Sequence, residues 1–227
     1  NSTPKISADS TMLMIRPLRK YHAICYGDIV KLGFAKRKKA KYRIAIPVNS
    51  DFDTIVGNEI VSAKTIHGQW INEAKANGCN RHTVDKAIEC ALSANQESIY
   101  LDSSQKPKGK SIRYPIGSIA EVRLADANTT FYLFALSNFD SNMKAWSSKS
   151  YCIECIEKLI EYHNIHGQGE DLYIPLIGTG LSRVNNSLGE SVDMILSVLR
   201  LHQEDIHCQC HVVVYKKERA HFSIYSL

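Results

Sequence analysis

A short apolar segment that runs into a glycine turn constrains the fold of this chain more than any other feature. Residues 172–177 are almost continuously apolar and lead into a Gly-Thr-Gly turn that begins at Gly178. Segments of this type are strands buried on both faces, as in parallel sheets covered by helices. Ser187 and Glu190 then form a capping box ahead of an apolar stripe that continues to about residue 202. The sequence therefore predicts a buried strand joined by a tight turn to a helix.

Strands and helices are predicted to alternate along the rest of the chain. The predicted strands cover residues 23–26, 42–48, 119–124, 131–136, 211–215 and, as an edge strand, 222–225. The predicted helices cover residues 66–76, a segment from Thr83, and residues 151–163. This order favours an α/β fold, a three-layer α/β/α sandwich around a mixed, mostly parallel sheet, with ligands at the carboxyl ends of the strands. We expect residues 1–20 to form a flexible lead and residues 21–227 one domain.

Composition and charge restrict the classes of partner. Hydrophobic residues make up 44% and charged residues 22% of the 227 residues, so the chain can bury a core and is not disordered as a whole. The formal net charge of +5 suits an anionic ligand, including a small phosphorylated molecule. Residues 36–41 form a basic run that a polyanion or a membrane surface can attract, although a solvated turn is its commoner meaning. Because the run lacks interleaved aromatic residues, no nucleic-acid partner is predicted.

Cysteine usage and apolar runs indicate the compartment. Seven cysteines, an odd number, and the lack of a signal-peptide pattern favour a reducing, intracellular setting. No apolar run approaches the roughly 20 residues that span a bilayer. The first residue is Asn1 and not methionine, so we expect that a preceding segment, such as a membrane anchor, is absent from this chain.

Two closely spaced cysteine pairs invite a zinc interpretation. Cys152 and Cys155 form one pair, and Cys208 and Cys210 form the other. Four thiolates are a common tetrahedral zinc set. The first pair lies in a predicted helix and the second at a strand entrance, however, without the turns that zinc ribbons use. We therefore predict buried free thiols, and neither a metal nor a cofactor.

Polar residues follow three of the predicted strands. Asp28 supplies a carboxylate that can accept from an amino-bearing base, and Asn49 supplies an amide suited to ribose hydroxyls. At the third strand end, Gly178 allows backbone N–H groups to converge on an oxyanion, and Thr179 and Ser182 add hydroxyl donors. Taken alone, the glycine turn is equally compatible with an ordinary strand-to-helix connection. Because carboxyl ends of parallel strands meet at one edge of a sheet, the three strand ends can share one cleft.

This order of motifs, Gly-Asp-Ile, then Val-Asn, then Pro-x-x-Gly-Thr-Gly, resembles the macro domain, an ADP-ribose-binding α/β/α module. The resemblance covers about residues 21–215. It implies that Asp28 bonds the adenine amino group, that the loop from Gly178 to Ser182 surrounds the diphosphate, and that Tyr215 lies near the adenine. The complete set of predicted ligand-binding residues is Asp28, Ile29, Asn49, Ser50, Asp51, Phe52, Asp53, Thr54, Ile55, Phe139, Gly178, Thr179, Gly180, Leu181, Ser182, Arg183 and Tyr215.

The chain departs from the hydrolytic macro domains at the second strand end. Phe52 stands where those members have a second asparagine, and residues 53–59 replace their glycine-rich loop. Hydrolysis needs a water held and activated beside the distal ribose, and a phenyl ring offers neither an acceptor nor a base. We therefore predict a binding module with no catalytic residues. The alternative is an ADP-ribosyl hydrolase that removes ADP-ribose from proteins.

A narrower resemblance rests on residues 46–56 and 65–68, which look like the divergent macro domains of bacterial Thoeris anti-phage systems. That resemblance implies a sensor, carried by a membrane-anchored effector, for an ADP-ribose-derived signal such as histidine-ADP-ribose made by a TIR-domain partner. It also implies a location on the cytoplasmic side, with the full-length protein anchored in the inner membrane. A homo-oligomer is compatible with this role.

Two further sets of side chains remain open to interpretation. Asp51 and Asp53 can act as general acid and base, can face a cationic group of the ligand, or can be plain turn carboxylates. If the ligand is a histidine conjugate, this pair is our first candidate for contact with its charged end. His67 can be catalytic, but a histidine near a helix start is more often a capping or packing residue.

Overall fold

The computed structural model describes residues 12–19, 22–35, 41–57, 60–93, 97–124, 129–179, 184 and 187–225. The basic run predicted at residues 36–41 lies outside this part of the chain, apart from Lys41.

A mixed sheet forms the centre of the molecule. Its strands in chain order are β1 (Met12–Arg19), β2 (His22–Gly27), β3 (Tyr42–Asn49), β6 (Ile119–Val122), β7 (Thr129–Phe139), β8 (Ala145–Trp146), β9 (Asp171–Pro175) and β10 (Cys210–Tyr215); β4 (Ile99–Tyr100) and β5 (Ile112–Arg113) pair separately. The order across the sheet is β1-β2-β10-β9-β3-β7-β6, and β8 pairs with β7. The five strands from β2 to β7 in this order are parallel, whereas β1, β6 and β8 are antiparallel to their neighbours. The predicted mixed, mostly parallel sheet is confirmed.

Helices cover both faces of the sheet. They are α1 (Ile29–Phe34), α2 (Ile66–Ala76), α3 (Arg81–Leu92), α4 (Lys149–His166) and α5 (Leu188–Leu201), with a short 3-10 helix at Lys216–Ala220. The five α-helices each begin at a polar side chain that accepts a backbone N–H of the first turn: Asp28, Thr65, Asn80, Ser148 and Ser187.

Alternate residues of a strand belong to two separate hydrophobic cores, one on each face of the sheet. Val212 and Val214 pack with α4 and α5 on one face, whereas Val213 packs with α1, α2 and α3 on the other. Strand side chains alternate between the faces of a sheet, and all three valines are buried, so β10 has no polar face. The predicted three-layer α/β/α sandwich is confirmed.

The structure differs from the sequence prediction at the two ends of the chain. Residues 12–19, assigned to a flexible lead, form β1 at the edge of the sheet. Pro17 fits there because an edge strand has one side whose N–H groups need no partner strand. Residues 222–225 form no strand, because β1 already occupies the open edge of β2 and the Tyr26 hydroxyl bonds the Phe222 carbonyl and the Ile224 N–H instead.

Within the described residues, none of the helices combines the length and apolar character needed to cross a membrane.

Candidate functional site

An open cleft of about 240 Å³ lies at the carboxyl ends of β2, β9 and β10. Asp28, Ile29 and Val30 contribute to it directly after β2, and Pro175, Leu176 and Thr179 contribute at the end of β9. Crevices outside the carboxyl ends of parallel strands are the usual ligand sites of open α/β sheets. The cleft therefore lies at the sheet edge where the sequence predicted a ligand.

Asp28 combines a structural role with a position in the cleft. Its Oδ1 accepts the Lys31 N–H at 3.1 Å and so caps α1, and the residue is 8% exposed. A carboxylate oxygen has lone pairs left after one such bond, so Asp28 can also accept from an amino or hydroxyl group in the cleft. Tyr215 ends β10 at the same cleft and is 41% exposed, which leaves its ring surface available to a planar ligand group.

The turn after β9 has a left-handed backbone at Gly178, as the glycine at this position predicts. Gly178 adopts a φ of +88°, in the left-handed region that favours glycine. The Ser191 hydroxyl of α5 donates to the Ile177 carbonyl at 2.8 Å and thereby ties the helix to this turn. Thr179 is exposed and lines the cleft, as does Leu188 at the start of α5. The predicted loop residues Gly180, Leu181, Ser182 and Arg183 lie outside the described part of the chain.

Sequence reasoning missed three polar residues that line the cleft. Lys64 lies just before α2, Gln69 lies in the first turn of α2, and Glu218 lies in the short helix after β10. Two features of the sequence could have indicated that these residues line the cleft. Lys64 precedes a capped helix start, and Glu218 follows Tyr215 by three residues. The cleft therefore presents the carboxylates of Asp28 and Glu218, and the ammonium group of Lys64 supplies a cation suited to a phosphate.

The residues that follow β3 are arranged differently, because most of them are buried in contacts with the protein itself. The Asn49 Oδ1 accepts the Asp53 N–H at 3.1 Å, and the Ser50 hydroxyl donates to Asn138 Oδ1 at 2.6 Å. Phe52 is 1% exposed, with a φ of +49°, and its ring packs edge-on against Tyr114. The end of β3 thus uses its polar groups to hold its own loop in place.

Asp51 and Asp53 form a buried ion network, not an open acidic pair. Lys106 Nζ lies 2.8 Å from Asp51 Oδ2 and 2.7 Å from Asp53 Oδ2, and Arg113 Nε donates to Asp51 Oδ1 at 2.8 Å. The Lys110 N–H donates to Asp53 Oδ1 at 2.6 Å. Both carboxylates are thus paired with side chains of the segment 106–113, and their contact with the charged end of a ligand stays a prediction.

Burial sets the protonation of the neighbouring groups. Burial raises the pKa of Asp53, although Lys106 and the Lys110 N–H act in the opposite direction. Burial lowers the pKa of His67 to about 3, so its imidazole is neutral and suits packing better than proton transfer. Burial alone would raise the pKa of Asp85, but its hydrogen bonds from Lys110 and Thr54 and nearby positive charges lower it below its ordinary value.

A family model described as Thoeris protein ThsA, macro domain, matches residues 23–215. This chain belongs to that macro-domain family. The matched residues run from β2 through β10 and so include every strand that contributes to the cleft. Both resemblances given by the sequence, to macro domains and to their Thoeris branch, are confirmed.

Individual relatives agree with the family. The chain is 23% identical over 207 residues to the Thoeris protein ThsA of Bacillus amyloliquefaciens (strain Y2), which covers 88% of this chain and 64% of the relative. The chain thus spans just under two thirds of the length of that relative. An Oceanobacillus iheyensis macrodomain with MES bound is similar with a TM-score of 0.56 at 14% identity, over 91% of this chain and 89% of that chain. A mutant of that macrodomain with ADPR gives a TM-score of 0.55 at 14% identity, over 91% of both chains. These likenesses show the macro fold.

The structure divides the predicted ligand-binding residues of this macro domain into two groups. The first group lines the cleft, with Gly178 in the same turn as Thr179: Asp28, Ile29, Thr179 and Tyr215. The second group lies at the end of β3 and β7, buried apart from Ile55: Asn49, Ser50, Asp51, Phe52, Asp53, Thr54, Ile55 and Phe139. Phe139 is 7% exposed, and its carbonyl accepts from Arg113, so it belongs to the ion network. Contact of any of these residues with a ligand stays a prediction.

Proposed function

We propose that this macro domain binds an ADP-ribose-type nucleotide in the cleft at the carboxyl ends of β2, β9 and β10. The observation that carries the proposal is the placement of Asp28 and the Gly178 turn at one opening, as base acceptor and as entry to a diphosphate loop. Tyr215 supplies a ring for the base. Structures of Oceanobacillus iheyensis macrodomains with ADPR and with ADP support this ligand class.

The proposed role is that of a sensor and not of an enzyme. Because the chain belongs to a family of Thoeris proteins, we take its ligand to be a signal derived from ADP-ribose, such as histidine-ADP-ribose made by a TIR-domain partner. The binding free energy would then differ between two states of the protein and trigger a linked effector in anti-phage defence. We place this role at the cytoplasmic side of an effector that is anchored in the inner membrane and assembles as a homo-oligomer.

The end of β3 supports binding without turnover. The two carboxylates closest to this strand end, Asp51 and Asp53, are already paired with Lys106 and Arg113. The neighbouring His67 is neutral and buried. A general base must be able to reach and accept a proton from a water beside the ligand, and these groups are engaged elsewhere.

Calorimetry with Asp28→Asn tests the binding site. Asparagine caps helices as well as aspartate does, so the variant keeps α1 and loses only the carboxylate charge. We expect ADP-ribose and ADP to bind the wild type, NAD to bind more weakly, and Asp28→Asn to lose about 1.5–3 kcal/mol of binding free energy.

The exposed Asp193 on α5 gives the matched control, since Asp193→Asn removes the same charge away from the cleft. Equal affinities of the wild type and Asp28→Asn would place the base elsewhere. Absence of binding to every ADP-ribose compound would contradict the proposed ligand class.

A further inference from the structure

A pair of thiols at the amino end of β10 forms a second chemical site, remote from the cleft. The Sγ atoms of Cys208 and Cys210 lie 4.0 Å apart, and one residue, Gln209, separates them in the chain. Both are free cysteines, 6% and 1% exposed. Cys210 begins β10, whose other end carries Tyr215 into the cleft, so the pair lies at the opposite edge of the sheet. Nothing in the proposed nucleotide binding uses it.

His163 supplies a base beside the first thiol. It lies on α4, is 3% exposed, and has Nε2 2.9 Å from the Glu170 carbonyl. Since a carbonyl oxygen only accepts, Nε2 carries a proton, and Nδ1 is the ring nitrogen left to accept one. This buried Nδ1 makes no other hydrogen bond within the described residues, and the imidazole lies beside Cys208. A Cβ added to Gly167 would lie 2.4 Å from Nδ1, which shows how closely the backbone confines the ring.

The two thiols have different acidities. The hydrogen bond with Cys210, together with the His163 imidazole, lowers the pKa of Cys208 to about 5 against the opposing effect of burial. The same hydrogen bond and burial raise the pKa of Cys210. The thiolate is the nucleophilic form of cysteine. This asymmetry and the position of His163 beside Cys208 assign the attack to Cys208 and the second step to Cys210.

We propose that Cys208 and Cys210 form a peroxide-reactive dithiol that closes reversibly to a disulfide. The Cys208 thiol gives its proton to Nδ1 of His163, and the resulting thiolate attacks one oxygen of hydrogen peroxide. The O–O bond breaks, and the departing hydroxide takes that proton from Nδ1 and leaves as water. This leaves a sulfenic acid on Cys208. The Cys210 sulfur then attacks the Cys208 sulfur, the S–O bond breaks, and the thiol proton leaves with the hydroxyl group as a second water. Two thiols and one peroxide thus give one disulfide and two waters.

The local geometry favours this small oxidant and this product. Cys208 is only 6% exposed, which admits a molecule of two heavy atoms far more readily than a peptide disulfide. A disulfide needs the two sulfurs to approach to about 2.0 Å. The Leu172 N–H holds the Gln209 carbonyl at 2.9 Å, so the backbone between the two cysteines is fixed while the side chains rotate. A disulfide across so short a loop is strained and is therefore readily reduced.

Peptide mapping after exposure to hydrogen peroxide tests the proposal on the full chain. Trypsin cleaves after Arg200 and Lys216, so one peptide holds both thiols. Under limiting peroxide we expect this peptide to become lighter by about 2 Da, the two hydrogens lost on disulfide formation, and to regain its mass with dithiothreitol. Cys90, an exposed free cysteine on α3, is the internal control and should react at least about tenfold more slowly than Cys208.

The variant Cys210→Ser separates the two steps. It keeps the attacking thiol and removes the second one, so a sulfenic acid should persist on Cys208 and be captured by dimedone, with no peptide lighter by about 2 Da. The wild-type map decides the question even if this variant does not fold. Oxidation of Cys90 as fast as that of Cys208, or two free thiols in the 201–216 peptide after Cys90 has been oxidised, would overturn the proposal.

Discussion

Two buried carboxylates, those of Asp51 and Asp53, share the ammonium group of Lys106 at 2.8 and 2.7 Å. All three side chains are at most 1% exposed, so none is solvated by water. Charges buried in this way are tolerated because each has partners, and removal of one partner leaves the others uncompensated. These ion pairs therefore fasten the segment containing Lys106 to the end of β3.

Lys106→Met tests this dependence, because methionine keeps most of the side-chain volume and removes the charge. We expect the free energy of unfolding to fall by about 3–5 kcal/mol at neutral pH, since two carboxylates lose their shared partner. Lys75→Met, on the exposed face of α2, is the matched control and should change stability by less than about 0.5 kcal/mol. Urea unfolding followed by circular dichroism measures both. Equal stability of the two variants would show that the network contributes nothing.

Lys106→Met should also change how the stability of the protein depends on pH. Burial already raises the pKa of Asp53, and Lys106 opposes that rise, so Lys106→Met should raise the pKa further. A carboxyl group whose pKa is raised on folding favours the native state below its unfolded pKa of about 3.9, and this contribution is lost as pH rises through the folded-state pKa. The stability deficit of Lys106→Met should therefore be smaller near pH 4.5 than at pH 7.5. A deficit that stays constant or grows on acidification would contradict this assignment.

At the scale of elements, α1 is positioned by a close approach to the sheet. A Cβ on Gly33 would lie 2.4 Å from Cε1 of Phe131, closer than real contacts allow. Phe131 cannot easily move, because it is fully buried with Phe34 and Trp70 at ring distances of 5.0 and 5.6 Å. Gly33 therefore lets α1, and with it Asp28 at its start, lie against the core.

Gly33→Ala and Gly189→Ala should have opposite effects. Alanine is normally the better helix residue, yet at Gly33 we expect a loss of about 1–3 kcal/mol because the core is overpacked. At Gly189 on α5 the nearest atom to an added Cβ is Ser187 Oγ at 3.8 Å, an ordinary contact, so we expect a gain of up to about 1 kcal/mol. Thermal unfolding of both variants checks the signs. A stabilised Gly33→Ala would mean that α1 lies farther from Phe131 than the structure places it.

The elements predicted from sequence were those whose signals are local. The buried strand at 172–177 and the capping box of Ser187 depend on neighbouring residues, and both agree with β9 and α5. The strand β1 was not predicted, because its strand conformation depends on pairing with β2 and not on a local sequence pattern. The pairing of Asp53 with Lys106 joins residues 53 positions apart, and no local pattern reports a contact of that separation.

At the scale of the whole molecule, the carboxyl edge of the sheet has two unlike halves. The half formed by β2, β9 and β10 is open and carries polar groups in a cleft. The half that follows β3 and β7 is filled by the ion network and by Phe52 packed against Tyr114. The Phe52 ring is 1% exposed, and its backbone is in the left-handed region with a φ of +49°. The two halves of this edge thus differ in how far they are open to a ligand.

The last prediction follows from this division: the protein binds its ligand and leaves it intact. Hydrolysis of a bond at the distal ribose needs a group that can take a proton from water, and Asp51 and Asp53 are held by Lys106 and Arg113. Incubation with ADP-ribosylated protein, or with histidine-ADP-ribose, should therefore release no ADP-ribose above a protein-free control, as measured by mass spectrometry over hours. Asp28→Asn, which weakens binding, should give the same null result. Steady release of ADP-ribose that Asp53→Asn abolishes would establish the hydrolase and refute the sensor.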